Sequence, residues 1–192
     1  MGSYGKIYCS AAIGYKVIEY FSNIYGGNEK EELLNRTYNN AISSLTQIQK
    51  REPNQFERDS TYRAAKEYVN TLLEKPKARS TKHLLEITHS LLSIENTFSI
   101  TKKISQLYKN VTFCSVSNFD ESAFQLSIIE NGTPLTIHQV GDELLEMDLK
   151  AKCGDADIIA SFFNISLSIA TEFIRIYDPI DAEDLFFHAI VL

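Results

Sequence analysis

The chain has 192 residues, 44% of them hydrophobic and 23% charged, with ten Tyr and eleven Phe, enough apolar material for one domain or two small ones and too much for global disorder. Its early apolar stretch, Ile7 to Gly14, ends before Lys16, well short of the roughly 20 residues that span a bilayer, so no membrane segment and no secretory leader are expected and the chain reads as cytoplasmic. The net charge of −6 conceals a split, because residues 1–110 hold sixteen Lys and Arg against eleven Asp and Glu, whereas residues 111–192 hold three against fourteen. A field of that kind selects charged partners without determining a fold.

Residues 10–25 place Ile13, Val17, Phe21 and Ile24 at helical steps, and Gly26-Gly27 follows where a helix would end. Asn28 and Glu31 have capping-box spacing, and Leu34, Tyr38, Ala41, Ile42, Leu45 and Ile48 then mark one face of a second helix until Pro53. A third is expected from Gln55 to Leu73 on Ala65, Tyr68, Val69 and Leu72, closed before Pro76. Leu84, Ile87, Leu91 and Ile94 predict a fourth, and Ile100, Ile104 and Leu107 a short fifth.

The pattern changes at Val111. Val111 to Val116 reads as a strand, and Phe124, Leu126 and Ile128 alternate with polar residues before Asn131-Gly132, a strong hairpin signal. An ideal two-residue turn would set Ile128 against Leu135, Leu126 against Ile137 and Gln125 against His138, giving one apolar and one polar face. Helices opened by Asp142, Asp155 and Ser166 are expected next, and a last one after Pro179 capped by Asp181. The fold class is therefore α+β: a helical N-terminal layer, a small antiparallel sheet with an Asn-Gly hairpin, and a helical C-terminal tail. Residues 1–110 form a mainly helical, mildly basic region and 111–192 an acidic region of hairpin plus helices, as two domains or one continuous domain.

No catalytic signature stands out, and no cofactor or metal site is expected. Cys9, Cys114 and Cys153 lack disulfide or zinc spacing, and His83, His89, His138 and His188 are scattered. Asp155 and Asp157 read as a helix cap and first-turn acid, and lack the surrounding oxygens that a hard cation needs. Residues 155–174 have helix-turn-helix spacing, but the second helix offers Ser168, Thr171 and Glu172 where a DNA reader carries cations or amides. Residues 50–82 hold nine Lys and Arg against five acids, an alternation usual on a solvated helix face. An enzyme at the polar hairpin face would require His138 to contact Cys114 and act as its base.

The stretch Ser117-Asn118-Phe119-Asp120-Glu121, the hairpin through Glu130-Asn131-Gly132, and Gly154-Asp155 leading into Ile158 to Phe163 resemble small bacterial intracellular proteins, some of them immunity-type partners of polymorphic toxins. That resemblance covers residues 110–192 and implies inhibition by occupying a surface. The acidic region suits a basic protein partner such as a toxin. Its expected contacts are Asp142, Glu143, Glu146, Asp148, Asp155, Asp157, Asp178, Asp181 and Asp184. The alternatives are a nucleic-acid-associated regulator using the basic half, which the interspersed Glu57, Asp59, Glu67 and Glu74 weigh against, and the hairpin-face enzyme. The sequence leaves the oligomeric state open.

Overall fold

The computed structural model describes residues 4–23, 30–119, 122–141 and 151–191. The chain forms two compact units, Met1–Tyr20 with Pro76–Leu192 and, separately, Phe21–Lys75.

The first unit is built on a six-stranded antiparallel sheet. Its strands are β1 (Tyr4–Cys9), β2 (Lys77–Ser80), β3 (Leu85–Thr88), β4 (Thr112–Phe119), β5 (Ala123–Glu130) and β6 (Thr133–Val140), in the spatial order β2-β3-β1-β4-β5-β6. β1 pairs with β4, so the sheet runs across residue 110. Helix α1 (Ala11–Asn23) follows β1 and buries Ile13, Val17 and Phe21 as its periodicity predicts. Ile24, the Gly26-Gly27 pair and the Asn28 cap lie outside the described residues.

Two expected helices need correction. The segment through Leu84 and Ile87 is not helical but supplies β2 and β3, with Ile87 against Ile7 and Glu86 against Tyr8 on β1. A run this short fits either period. Ile87 and Thr88 are β-branched, and pairing with β1 and β2 decides between the periods. The next helix is α4 (Ile94–Leu107), longer than the short segment expected from Ile100. It packs on β1, β4 and β5 through small side chains, with Thr97, Thr101 and Ser105 fully buried. A Cβ on Gly5 would stand 1.9 Å from Thr97 Oγ1, so glycine is what allows this close approach.

The opposite sheet face carries Tyr8, Cys114, Val116, Phe124, Leu126, Ile128 and Val140. Against it lie α5 (Ala156–Phe163), α6 (Leu167–Phe173), α7 (Pro179–Leu185) and a π-helical segment, Phe186–Val191. Phe186 is the hub, with ring centroids 5.5 Å from Phe163, 5.7 Å from Tyr8 and 5.9 Å from Phe124. Both faces of the sheet are thus covered, and β5 is buried along nearly its whole length. The expected polar face of the hairpin is interior.

The Asn131-Gly132 turn forms with φ of 52° and 76°, the double positive φ that suits this pair. Glu130 faces Thr133 as expected, but a bulge shifts the register between Ile128 and Ile129, so Ile128 faces Thr136 and Leu126 faces His138. Leu135 is the extra residue, next to Pro134, which has no N–H for the ladder.

The second unit is a helical hairpin of α2 (Lys30–Gln49) and α3 (Gln55–Leu72). Asn54 and Glu57 form a reciprocal capping box at the start of α3. Tyr38 meets Tyr62 edge to face at 5.6 Å. Leu33, Leu34, Ala65, Val69 and Leu72 are buried, whereas Ile48 is 79% exposed despite its place in the apolar pattern.

Candidate partner-binding surface

Four of the acidic side chains after residue 150, Asp155, Asp157, Asp178 and Asp181, sit at the starts of helices, and local backbone chemistry puts them there. Asp155 is the N-cap of α5, its Oδ1 accepting from the N–H groups of Asp157 at 2.9 Å and Ile158 at 3.2 Å. The Asp155 N–H donates to Thr136 Oγ1 at 2.7 Å, which fastens the helix start to β6. Ser166 caps α6, as its sequence position predicts. The last helix is capped by Asp178, not Asp181, because Pro179 occupies N1 and the residue before it takes the extended backbone that an N-cap requires. Asp181 is instead a first-turn acid.

Asp155, Asp157, Asp178, Asp181 and Asp184 are all exposed, and among the described residues none of them forms an ion pair. They form two groups. The α5 start adjoins Thr136, while Pro179 at the α7 start adjoins Gly141. Five residue steps, from Thr136 to Gly141, separate these two anchor points, or about 17 Å at strand rise. Lys152 and Arg175 are the cations of residues 151–191. Asp142, Glu143, Glu146 and Asp148 lie outside the described residues.

Glu183 points inward, where it accepts from the Tyr4 hydroxyl and from Asn118 Nδ2. Lys6 and Tyr8 converge on Glu86 beside it, and Lys6 Nζ lies 4.3 Å from the centre of the Phe187 ring. This half-buried network was not legible from sequence, because it joins β1, β3, β4 and α7 over separations of up to 179 residues. Strand alternation alone would have placed Tyr4, Lys6 and Tyr8 on one face.

The Cys114–His138 pair does not form. The bulge moves His138 to the apolar face shared with Cys114, but β5 lies between their strands, and two strand spacings separate backbones by about 10 Å. Cys114 is fully buried and its Sγ lies 3.7 Å from the Ser115 carbonyl. Burial pushes its thiol well above the usual range. His138 is 1% exposed and packs 4.8 Å from the Phe173 ring. Its Nδ1 accepts from the Gly154 N–H at 3.4 Å, and its Nε2 has no protein partner among the described residues. Desolvation lowers its pKa to about 4, opposed by the Lys152 backbone.

The helix-turn-helix spacing corresponds to a real helical hairpin, α5 and α6, joined through Asn164 at φ 54°. Its inner residues Ala170 and Phe173 pack against the sheet. The outer face of α6 is a shallow concavity lined by Leu167, Ser168, Thr171, Glu172, Arg175 and Ile176, with Arg175 its one cation. In residues 50–82, Arg51 pairs with Glu57 at 2.7 Å and Arg58 with Glu52 at 2.8 Å, so part of that basic charge is neutralised locally. No group of His, Cys, Asp and Glu among the described residues is arranged to hold a metal ion, and no described helix is long and apolar enough to cross a membrane.

No protein-family model, no curated protein and no solved structure matches the chain.

Proposed function

We propose that the protein is a non-catalytic binding module that covers a basic protein partner with the acidic face of its C-terminal helical layer. The observation that carries this reading is the set of five exposed aspartates without ion pairs on α5, α7 and their caps. Asp155 and Asp178 stabilise their helices as caps, a role that neutral Asn fills as well. Exposed charges without ion pairs contribute little to folding as charges, but they steer encounter with a surface of opposite sign. An immunity or antitoxin-like inhibitor is the form that the resemblance of residues 110–192 suggests, and nucleases that grip phosphate offer surfaces of the required charge.

The test is affinity capture from the host lysate after nuclease treatment, using the native chain and a charge-altered variant. Asp155→Asn and Asp178→Asn keep the two caps, since Asn caps a helix as well as Asp does. Asp157→Lys, Asp181→Lys and Asp184→Lys reverse the remaining charges, at a stability cost of roughly 0.3–1 kcal/mol for each first-turn acid. A basic protein retained at low salt, released at high salt and lost by the folded variant supports the reading. Retention that ignores both salt and charge reversal refutes it.

A further inference from the structure

The two edges of the sheet are finished differently. The β6 edge has Pro134, a bulge at Leu135 and an antiparallel bridge from Gln139 to Lys152, with N–H to O distances of 2.9 and 3.1 Å. These are the usual devices that stop an edge from recruiting another strand. Among the described residues the β2 edge has neither a bulge nor a bridge, and all four of its residues, Lys77 to Ser80, are exposed. Its guards are its short length and the charges of Lys77 and Arg79, which repel a cationic edge and not an acidic one.

The direction of its free backbone groups follows from the hairpin. Thr81 N–H donates to the Leu84 carbonyl at 2.8 Å, and β2 pairs with β3 in the same register, Lys77 with Thr88 through Ser80 with Leu85. Bonded and non-bonded pairs alternate along an antiparallel ladder, so the amides and carbonyls of Ala78 and Ser80 turn away from β3. The side chains of Lys77 and Arg79 stand together on one face, two residues apart. Arg79 is opposite Glu86, whose Oε2 is already taken by Tyr8 and Lys6. Among the described residues, neither Lys77 nor Arg79 has an ion pair.

From this we infer that β2 is a docking edge for an extended acidic segment of a partner protein, which adds as a seventh strand. Its backbone bonds to Ala78 and Ser80, and acidic residues at alternate positions meet Lys77 and Arg79. Charge complementarity selects this occupant over a second copy of the chain, because two β2 edges would bring their cations together. Ala78 and Ser80 on the other face are small, so affinity comes from backbone bonds and specificity from the charge pattern. The site is separate from the acidic helical layer and does not depend on what that layer binds.

The probe is a fluorescein-labelled peptide of alternating Glu and Val, read by anisotropy on the full chain at moderate salt. Binding is expected, with amide shifts at Ala78 and Ser80 in NMR. Lys77→Glu with Arg79→Glu should weaken it about tenfold, the sum of two cross-strand charge pairs turned repulsive. Ala78→Pro removes an outward N–H without touching the β3 ladder, so it should abolish binding while the melting temperature holds. N-methylating alternate peptide amides should do the same. Failure to bind at millimolar peptide, binding that survives N-methylation, or equal affinity for an alternating Lys and Val peptide would each overturn the inference. Concentration-dependent dimerisation that Ala78→Pro abolishes would also overturn it, in favour of a second copy.

Discussion

The Tyr8 hydroxyl donates to Glu86 Oε2 at 2.7 Å, and Lys6 Nζ reaches the same oxygen at 3.2 Å. Tyr8 is fully buried and Glu86 only 8% exposed, so β1 and β3 are tied by a charge-assisted bond inside the molecule. Tyr8→Phe removes the donor and leaves Glu86 with Lys6 alone, which should cost about 2 kcal/mol in urea unfolding at neutral pH. Glu86→Gln in the same background should cost less than in the native chain, since the two residues act as a unit. Burial first, and then the Glu86 charge, raises the Tyr8 pKa. The folded state therefore holds this proton more tightly than the unfolded state, so the contribution is complete below the unfolded value of about 10 and is lost as pH rises toward the folded value. Native protein should lose stability above pH 10 more steeply than Tyr8→Phe.

His138 works in the opposite direction. Its folded pKa of about 4 lies below the ordinary histidine value of 6.5, so its contribution is complete above 6.5 and disappears as pH falls toward 4. Between pH 7.5 and 5 this one group should remove about 2 kcal/mol of stability. His138→Gln keeps an acceptor for the Gly154 N–H and should flatten that part of the profile. Denaturant melts at the two pH values compare the proteins, and an imidazole that titrates near 6.5 by NMR would refute the account.

The same residue shows where sequence reading stops. The Asn131-Gly132 turn was legible because its φ requirement is local, and so were the caps at Asp155 and Ser166. The pairing of His138 was not, because a single bulged residue reverses which face every later side chain takes. Pro134 was the available signal, since a proline two residues into a strand predicts an irregular edge. β3 was missed for a different reason: four residues carry too little periodicity, and their state is set by pairing with β1, distant in sequence. The network around Glu86 and Glu183 was beyond reach until those strands were placed. Four of the exposed aspartates, Asp155, Asp157, Asp178 and Asp181, needed less, because N-capping and first-turn positions put acids at solvent-facing helix starts.

Gly5 offers a test of the layer formed by α4. Gly5→Ala places a Cβ 1.9 Å from Thr97 Oγ1 and 3.0 Å from the Leu92 carbonyl carbon, and the Thr97 side chain or its surroundings must move to admit it. A loss of about 2–3 kcal/mol is expected, in the range of overpacked cores. Thr97→Ala removes the nearer obstacle and should recover part of that loss in the double variant, although alone it leaves a small void. Simple additivity of the two changes in a thermal-melt cycle would show that Gly5 and Thr97 do not meet.

Thiol reactivity separates the binding reading from the hairpin-face enzyme. Cys153 is exposed, whereas Cys9 and Cys114 are fully buried. Burial pushes the Cys9 thiol up to about 12 and also raises the Cys114 thiol well out of the reactive range. At pH 8, iodoacetamide should therefore alkylate Cys153 alone in the folded protein and all three cysteines in urea, with sites assigned by mass spectrometry. The two buried thiols should react only as fast as the sheet opens, so their rate should follow global stability and rise in Gly5→Ala. Rapid alkylation of Cys114 under native conditions, unchanged by such a variant, would mean an activated thiolate at the sheet face and would restore the catalytic alternative.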